Sequence, residues 1–158
     1  MVNMSTFFQY PNLEPEGEEP TFMADFSEKE LQKIYAIGEV QNFAAGEIMV
    51  TEWADDSAFF IILEGTAEVL MPKRNGWYKL ASLGPAGVFG ELSFFDRLPR
   101  SARVVVLTEC NVLKINEAAF QHLRVNDTSL ALSLLQDLGK ILSHRLRHMN
   151  DLVRTLVQ

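Results

Sequence analysis

The hydrophobic positions change period twice along the chain. Leu31, Ile34, Tyr35 and Ile37 fall at the three-to-four spacing of a helix face, and Ser27 with Glu30 has the pattern of a reciprocal N-terminal cap. Gly38 is the stop signal for this short helix. From about residue 40 to residue 106 the texture is one of short β-branched and aromatic runs: VQNF, IMVTEW, AFFIILEG, TAEVLM and WYKLASL. Gly46, Asp55-Asp56, residues 73–76, Gly84 and Gly87 punctuate them. Strands recurring every ~8–12 residues with turns between them predict a sandwich or barrel. Ala67, Val69 and Met71 alternate with Glu68 and Leu70, and Arg74-Asn75-Gly76 suits a hairpin turn. Residues 103–107 and 111–115 return the chain to the sheet. After Asn116 the pattern is helical to the end: a short helix over 117–124, a turn at Asn126-Asp127-Thr128, and a long proline-free helix over 130–157. The class predicted is mainly β with flanking helices.

The long helix carries more apolar surface than one neighbour needs. Leu135, Leu138, Leu142, Arg145, Met149, Leu152 and Leu156 alternate steps of three and four, the spacing of a coiled-coil seam with one charged interruption. Leu134, Ile141, Leu146 and Val153 form a second row beside it. One row can pack on the helix's own domain and the other on a second subunit, so a homodimer through this helix is expected.

Composition narrows the class. At 158 residues, 47% apolar and 22% charged, the chain is expected to form one soluble domain. No apolar run approaches the ~20 residues of a membrane span, and the N-terminus lacks the basic-then-apolar order of a signal peptide, so a cytoplasmic protein away from membranes is expected. The single cysteine, Cys110, follows a strand-like run and reads as a small buried thiol. The net charge of -7 sits mostly in the first 30 residues, where Glu14, Glu16, Glu18, Glu19, Asp25, Glu28 and Glu30 face only Lys29. Without a basic stripe, direct nucleic-acid binding is not expected. Residues 1–24, with Pro11, Pro15, Gly17 and Pro20 among the acids, read as a tail before a domain over 25–158. Phe7, Phe8 and Tyr10 in that tail either lie on the domain surface or form a partner motif.

The densest chemistry falls in residues 89–103, FGELSFFDRLPRSAR. Gly87 and Gly90 allow close approach of the backbone to a ligand. Residues 91–95 can form a helical turn whose free N–H groups face an anion. Arg100 adds a planar donor fork suited to phosphate oxygens, and Ser101 adds a hydroxyl. Glu91 does not serve phosphate alone, because a carboxylate repels it; it is suited to accept hydrogen bonds from a sugar hydroxyl. An anion on Arg100 and a hydroxyl on Glu91 together describe a ribose phosphate. Spacing alone leaves another possibility open, that Glu91 and Arg100 pair with each other across a turn.

FGELSFFDRLPRSA closely resembles the phosphate-binding cassette of the cyclic-nucleotide-binding domain family, which includes catabolite-activator-type regulators, kinase regulatory subunits and nucleotide-gated channels. The match runs through Phe89, Gly90, Glu91, Leu92, Phe94, Pro99, Arg100, Ser101 and Ala102, with Ser93 at the small position. It extends over roughly residues 26–155, with Gly46-Glu47-Ile48, residues 60–65 and residues 83–87 resembling the family's glycine turns. The resemblance implies a β jelly roll (double-stranded β-helix barrel) over about 40–115, and C-terminal helices over about 116–158. It implies Glu91 on the ribose 2'-hydroxyl, Arg100 on the cyclic phosphate, and backbone N–H groups near Gly90, Leu92, Ser101 and Ala102 on the remaining oxygens. The long helix would close over the base with the face around Arg145, His148, Met149 and Asn150. Ser101 can serve cyclic AMP in one base orientation and touch the guanine amino group in another, so cyclic GMP stays open as a ligand, with cyclic AMP favoured.

No catalytic or metal site is expected. His144 and His148 lie one helical turn apart, but Asp137 and Asp151 fall off their face, and these residues and His122 read as surface or lid histidines. Family members that regulate transcription carry a helix-turn-helix after the long helix, and none follows here before Gln158. The reading is a stand-alone sensor acting on an unidentified effector protein. The alternatives are a non-sensing dimeric interaction protein that keeps the fold and, last, a regulator working with a separate DNA-binding subunit.

Overall fold

The run Phe59-Phe60-Ile61-Ile62 is apolar at every position, and the fold buries both of its faces. Phe59 and Ile61 point to a core shared with the helices, whereas Phe60 and Ile62 point into a second core inside the barrel, as the two-residue period of a strand requires. The computed structural model of the chain describes residues 19–158. Its elements are α1 (Glu28–Ile37), β1 (Glu39–Phe43), β2 (Ile48–Val50), β3 (Phe59–Lys73), β4 (Gly76–Leu83), β5 (Val88–Phe89), α2 (Glu91–Asp96), β6 (Arg103–Ile115), α3 (Glu117–Asn126) and α4 (Thr128–Leu156).

The strands form one antiparallel system in the order β1-β6-β3-β4, with β2 added to β6 and β5 to β3. This is the jelly roll that the sequence implied. Its long strands are fewer than the turn signals suggested. AFFIILEG and TAEVLM are one bent strand, β3, and residues 103–107 and 111–115 are joined as β6. Gly65 lies at the bend, with φ +92 and register shifts on either side, and a Cβ there would stand 2.1 Å from the Glu109 carbonyl oxygen. The glycine therefore marks a corner within a strand and not its end. Lys73 pairs with Gly76 across a two-residue hairpin loop of Arg74 and Asn75, as predicted.

The helix ends follow their caps. Ser27 accepts from the Glu30 amide at 3.2 Å, and Glu30 accepts from the Ser27 amide at 3.0 Å, which closes the capping box of α1. Gly38 caps the other end in an extended conformation; what excludes a side chain is Leu113, whose Cδ1 would lie 2.4 Å from a Cβ. Asp127 caps α4 by accepting from the Leu130 amide. Cys110 is buried within the barrel, and burial raises its thiol pKa, in keeping with a packing role. No helix among the described residues is long and apolar enough to cross a membrane.

Packed structure begins upstream of residue 25. Phe22 is buried, its ring edge-on to Phe59 at 6.4 Å, and the Met23 amide donates to Asp137 on α4. The segment from Glu19 to Met23 is therefore a strap on the domain and not part of an extended tail. The expectations for Phe7, Phe8 and Tyr10 lie outside the described residues.

Helix α4 also sorts its apolar rows differently from the sequence reading. Leu134, Leu138, Ile141 and Leu152 are buried in the chain itself, and Arg145 continues the same inward row. Leu132, Leu146, Met149, Val153 and Leu156 are exposed on another face, along which Leu135, Gly139 and Leu142 are half-buried. Leu138, Arg145 and Leu152 thus leave the expected seam, and Leu132, Leu146 and Val153 join it. Spacing cannot assign two interleaved rows; the barrel does so by burying one.

Candidate functional site

Glu91, Ser93 and Arg100 are the buried polar or charged residues of the described chain, and all three fall in the ten residues after Gly90. Buried charge is costly unless it is paired, so its concentration in one stretch marks a built site.

Gly90 begins the stretch in the left-handed region at φ +80, capping α2 without a side chain. A Cβ there would approach Arg100 Nη1 to 2.7 Å and the Ala58 carbonyl oxygen to 2.9 Å. Glycine is required both by the backbone conformation and by the guanidinium beneath it. Arg100 is only 2% exposed. Its Nη1 donates to the Gly90 carbonyl at 2.8 Å, and its Nη2 donates to the Ala58 carbonyl at 2.6 Å and pairs with Asp56 Oδ2 at 3.0 Å. Its Nε is buried with no hydrogen-bond partner among the described residues. That unmet donor on a buried cation beside a cavity suits an anion. Asp56 in turn accepts from the Ala58 amide at 3.0 Å. Burial pushes its carboxyl pKa up, but the Ala58 bond and the Arg100 guanidinium outweigh this and leave it lowered.

Glu91 and Arg100 do not pair with each other. Glu91 Oε1 accepts from Arg145 Nη1 of α4 at 2.7 Å. The same guanidinium donates to the Val88 carbonyl at 2.9 Å and takes Glu19 with Nε and Nη2, at 2.9 and 2.8 Å. Burial alone would weaken its hold on the proton, but the bond to Glu19 and the charges of Glu91 and Glu19 raise its pKa above the usual arginine value. Arg145 therefore joins strap, helix and cassette at one point.

These groups border a cavity of about 1070 Å³. Of the residues the sequence singled out, Phe89, Gly90, Glu91, Leu92, Arg100, Ser101, Ala102 and Met149 all line it. Asn150 does not; it is exposed on α4 outside the cavity wall, where His144, Arg145 and His148 stand instead. The helix turns 100° per residue, so the position after Met149 already leaves the face. Phe89 contributes mainly by packing, stacked on Phe60 at 4.9 Å. Val50, Val69, Leu80 and Leu83 add apolar wall from the sheet. A buried cation, a carboxylate and flat apolar walls can together hold a molecule that combines an anion, a hydroxyl and an aromatic ring.

Sequence reasoning missed Glu19 and Asp56. Glu19 sat in an acidic run and Asp56 in a turn signal, and nothing local distinguishes either from its neighbours. Pairing across 126 residues, as between Glu19 and Arg145, leaves no mark in spacing.

Known proteins resemble this chain in sequence and in fold. The family profile described as Cyclic nucleotide-binding domain matches residues 40–127. The chain is similar to the CRP-like cAMP-activated global transcriptional regulator of Mycobacterium tuberculosis, at 26% identity over 143 residues, which is 90% of this chain and 58% of the relative. It is also similar to the cAMP-dependent protein kinase regulatory subunit of Mycosarcoma maydis, at 32% identity over 102 residues, 61% of this chain and 19% of the relative. The chain thus spans less than two thirds of the length of these relatives. Among solved structures, the cyclic nucleotide-binding domain from Methylobacillus flagellatus superposes with a TM-score of 0.75 at 22% identity, covering 97% of this chain and 84% of that one. The Thermus thermophilus catabolite activator protein gives 0.77 at 20% identity, covering 87% and 63%. Both likenesses concern the fold.

Proposed function

The chain belongs to the cyclic nucleotide-binding domain family, and we propose that it is a sensor module that binds cyclic AMP in preference to cyclic GMP and signals to a partner protein through α4. The observation that carries this reading is the buried Arg100 with its unmet Nε donor, next to a carboxylate held by the helix that would move. The phosphate takes Arg100, the ribose 2'-hydroxyl takes Glu91, and the base lies against the apolar wall and Met149. Ser101 is exposed beside Arg100 and offers its hydroxyl and amide to ligand. The preference for cyclic AMP draws support from the two curated relatives, both of which carry it in their names. The protein acts by binding and not by catalysis, in the cytoplasm, as a homodimer that makes no direct contact with nucleic acid or membrane.

Ligand binding then shifts an equilibrium of α4 by the difference in affinity between its two positions. A second reading, a dimeric interaction protein that no longer senses, is favoured by one observation: Arg100 and Glu91 already hold partners within the chain. Titration calorimetry with cyclic AMP and cyclic GMP separates the two. The expected result is binding of cyclic AMP well below millimolar, more than ~4 kcal/mol, and weaker binding of cyclic GMP. Failure of both to bind in that range replaces the sensor with the second reading.

A further inference from the structure

The sugar-reading carboxylate is already engaged. Glu91 accepts a charge-assisted bond from Arg145, and Arg145 is held there by a two-point clasp from Glu19. Every nitrogen of that guanidinium has an acceptor, two of them on Glu19. Glu19 belongs to the strap, which is tied to α4 a second time where the Met23 amide donates to Asp137. Asp137 and Arg145 are eight positions apart on the helix, about 12 Å at 1.5 Å per residue. The strap therefore runs beside α4, with one end anchored by Phe22 in the core and the other at the cavity. The anchored end has buried apolar contacts, whereas the Glu19 end rests on an ion pair that is partly exposed to solvent.

We propose that Glu19 and Arg145 form a latch on the ligand site: the clasp keeps Arg145 on Glu91, a cyclic nucleotide must displace it to reach that carboxylate, and displacement frees the Glu19 end of the strap. This rests on the cyclic-nucleotide reading of the site. A ribose hydroxyl is a neutral donor, so it replaces a guanidinium on Glu91 only at the expense of an ion pair. Glu19 opposes the ligand in a second way, because it adds a negative charge to a cavity that receives an anionic phosphate. By linkage, what the strap costs the ligand, the ligand costs the strap. The nucleotide signal then leaves the domain at two places, α4 and residues 19–23.

The test compares wild type with Glu19→Gln, a substitution that keeps shape and removes charge at a residue that lies outside the proposed ligand contacts. Cyclic AMP is titrated by calorimetry at low and high salt, and amide hydrogen exchange is followed at residues 19–23. The latch predicts tighter binding by the variant, about threefold to tenfold at low salt, with the gap closing as salt screens the clasp. It also predicts that cyclic AMP speeds exchange at residues 19–23 in wild type, and that the variant exchanges fast without ligand. Equal or weaker binding by Glu19→Gln, with wild type still binding, overturns the latch and leaves the sensor reading standing. Binding by neither protein overturns both.

Discussion

Arg100 carries a charge with 2% of its surface exposed, and its surroundings decide what its removal does. Chemistry singled it out as suited to phosphate, because few positions combine arginine with a glycine turn and an adjacent hydroxyl, and the cassette resemblance implied the role. Its partner Asp56 was not legible, since an Asp-Asp pair between strands has the composition of any turn. With both known, Arg100→Leu has two expected effects. Cyclic AMP affinity falls by about a hundredfold, in line with ~3 kcal/mol for charge-assisted hydrogen bonds. Stability falls as well, because the carbonyls of Ala58 and Gly90 lose their donor. The acid limb of stability reports the pairing separately. A carboxyl pKa lowered by folding adds stability that is complete above its unfolded value, about 3.9, and disappears as pH falls through the folded value. Wild type is therefore expected to lose stability below about pH 4 more steeply than Arg100→Leu. Parallel acid limbs, measured by chemical denaturation at several pH values, would show that Asp56 gains nothing from Arg100.

Helix α4 shows how far an element can be read from period. Its existence and length were legible, because a proline-free run with three-to-four spacing admits little else. The assignment of its rows was not, since both rows have that spacing and only the barrel distinguishes them. Arg145 was visible as a charged break in an apolar seam, and its reason is now physical: the inward row passes the cavity at that turn and becomes Arg145 and His148. The exposed row then runs Leu132, Leu135, Gly139, Leu142, Leu146, Met149, Val153 and Leu156 in strict alternation of three and four. A second copy of the helix is the proposed cover for this row. Gly139 sits within it, and beyond the helix's own backbone a Cβ there would meet nothing within 4 Å among the described residues. A glycine inside a helix costs about 1 kcal/mol relative to alanine, and close approach of a partner helix is a reason to keep it. Leu146, 63% exposed, can be changed without disturbing the fold. Leu146→Glu is expected to sediment as a monomer with an unchanged far-ultraviolet spectrum; a dimer that persists moves the interface off α4.

At the scale of the whole molecule, the strap, the sheet, the cassette and the helical end meet through one line of rings. Phe22 of the strap stands edge-on to Phe59 of β3, Phe59 to Phe94 of α2 at 4.8 Å, and Phe94 to Phe120 of α3 at 5.3 Å. Each of these phenylalanines was legible as apolar, and the Phe94-Phe95 pair fell inside the cassette resemblance. Their meeting was not legible, because the four positions span about a hundred residues and their contact is set by the folding of β3 against β6. Phe94 belongs to the helix that begins with Glu91, so its ring ties the position of the carboxylate proposed for ligand to the core beneath α4. Removing that ring opens a void where three aromatic neighbours converged. Phe94→Ala is expected to cost about 3 kcal/mol, the lower end for phenylalanine since this one is half-buried. In a chain of this size that lowers Tm by roughly 6–12 °C. The contacts proposed for ligand are untouched, so cyclic AMP should still raise the melting temperature of the variant. What should weaken is the transmission: the ligand-induced change in hydrogen exchange along α4 and residues 19–23 is expected to be smaller than in wild type. A variant that melts as wild type does, or that transmits the ligand signal undiminished, would place the coupling outside this aromatic line, in the Arg145 junction alone.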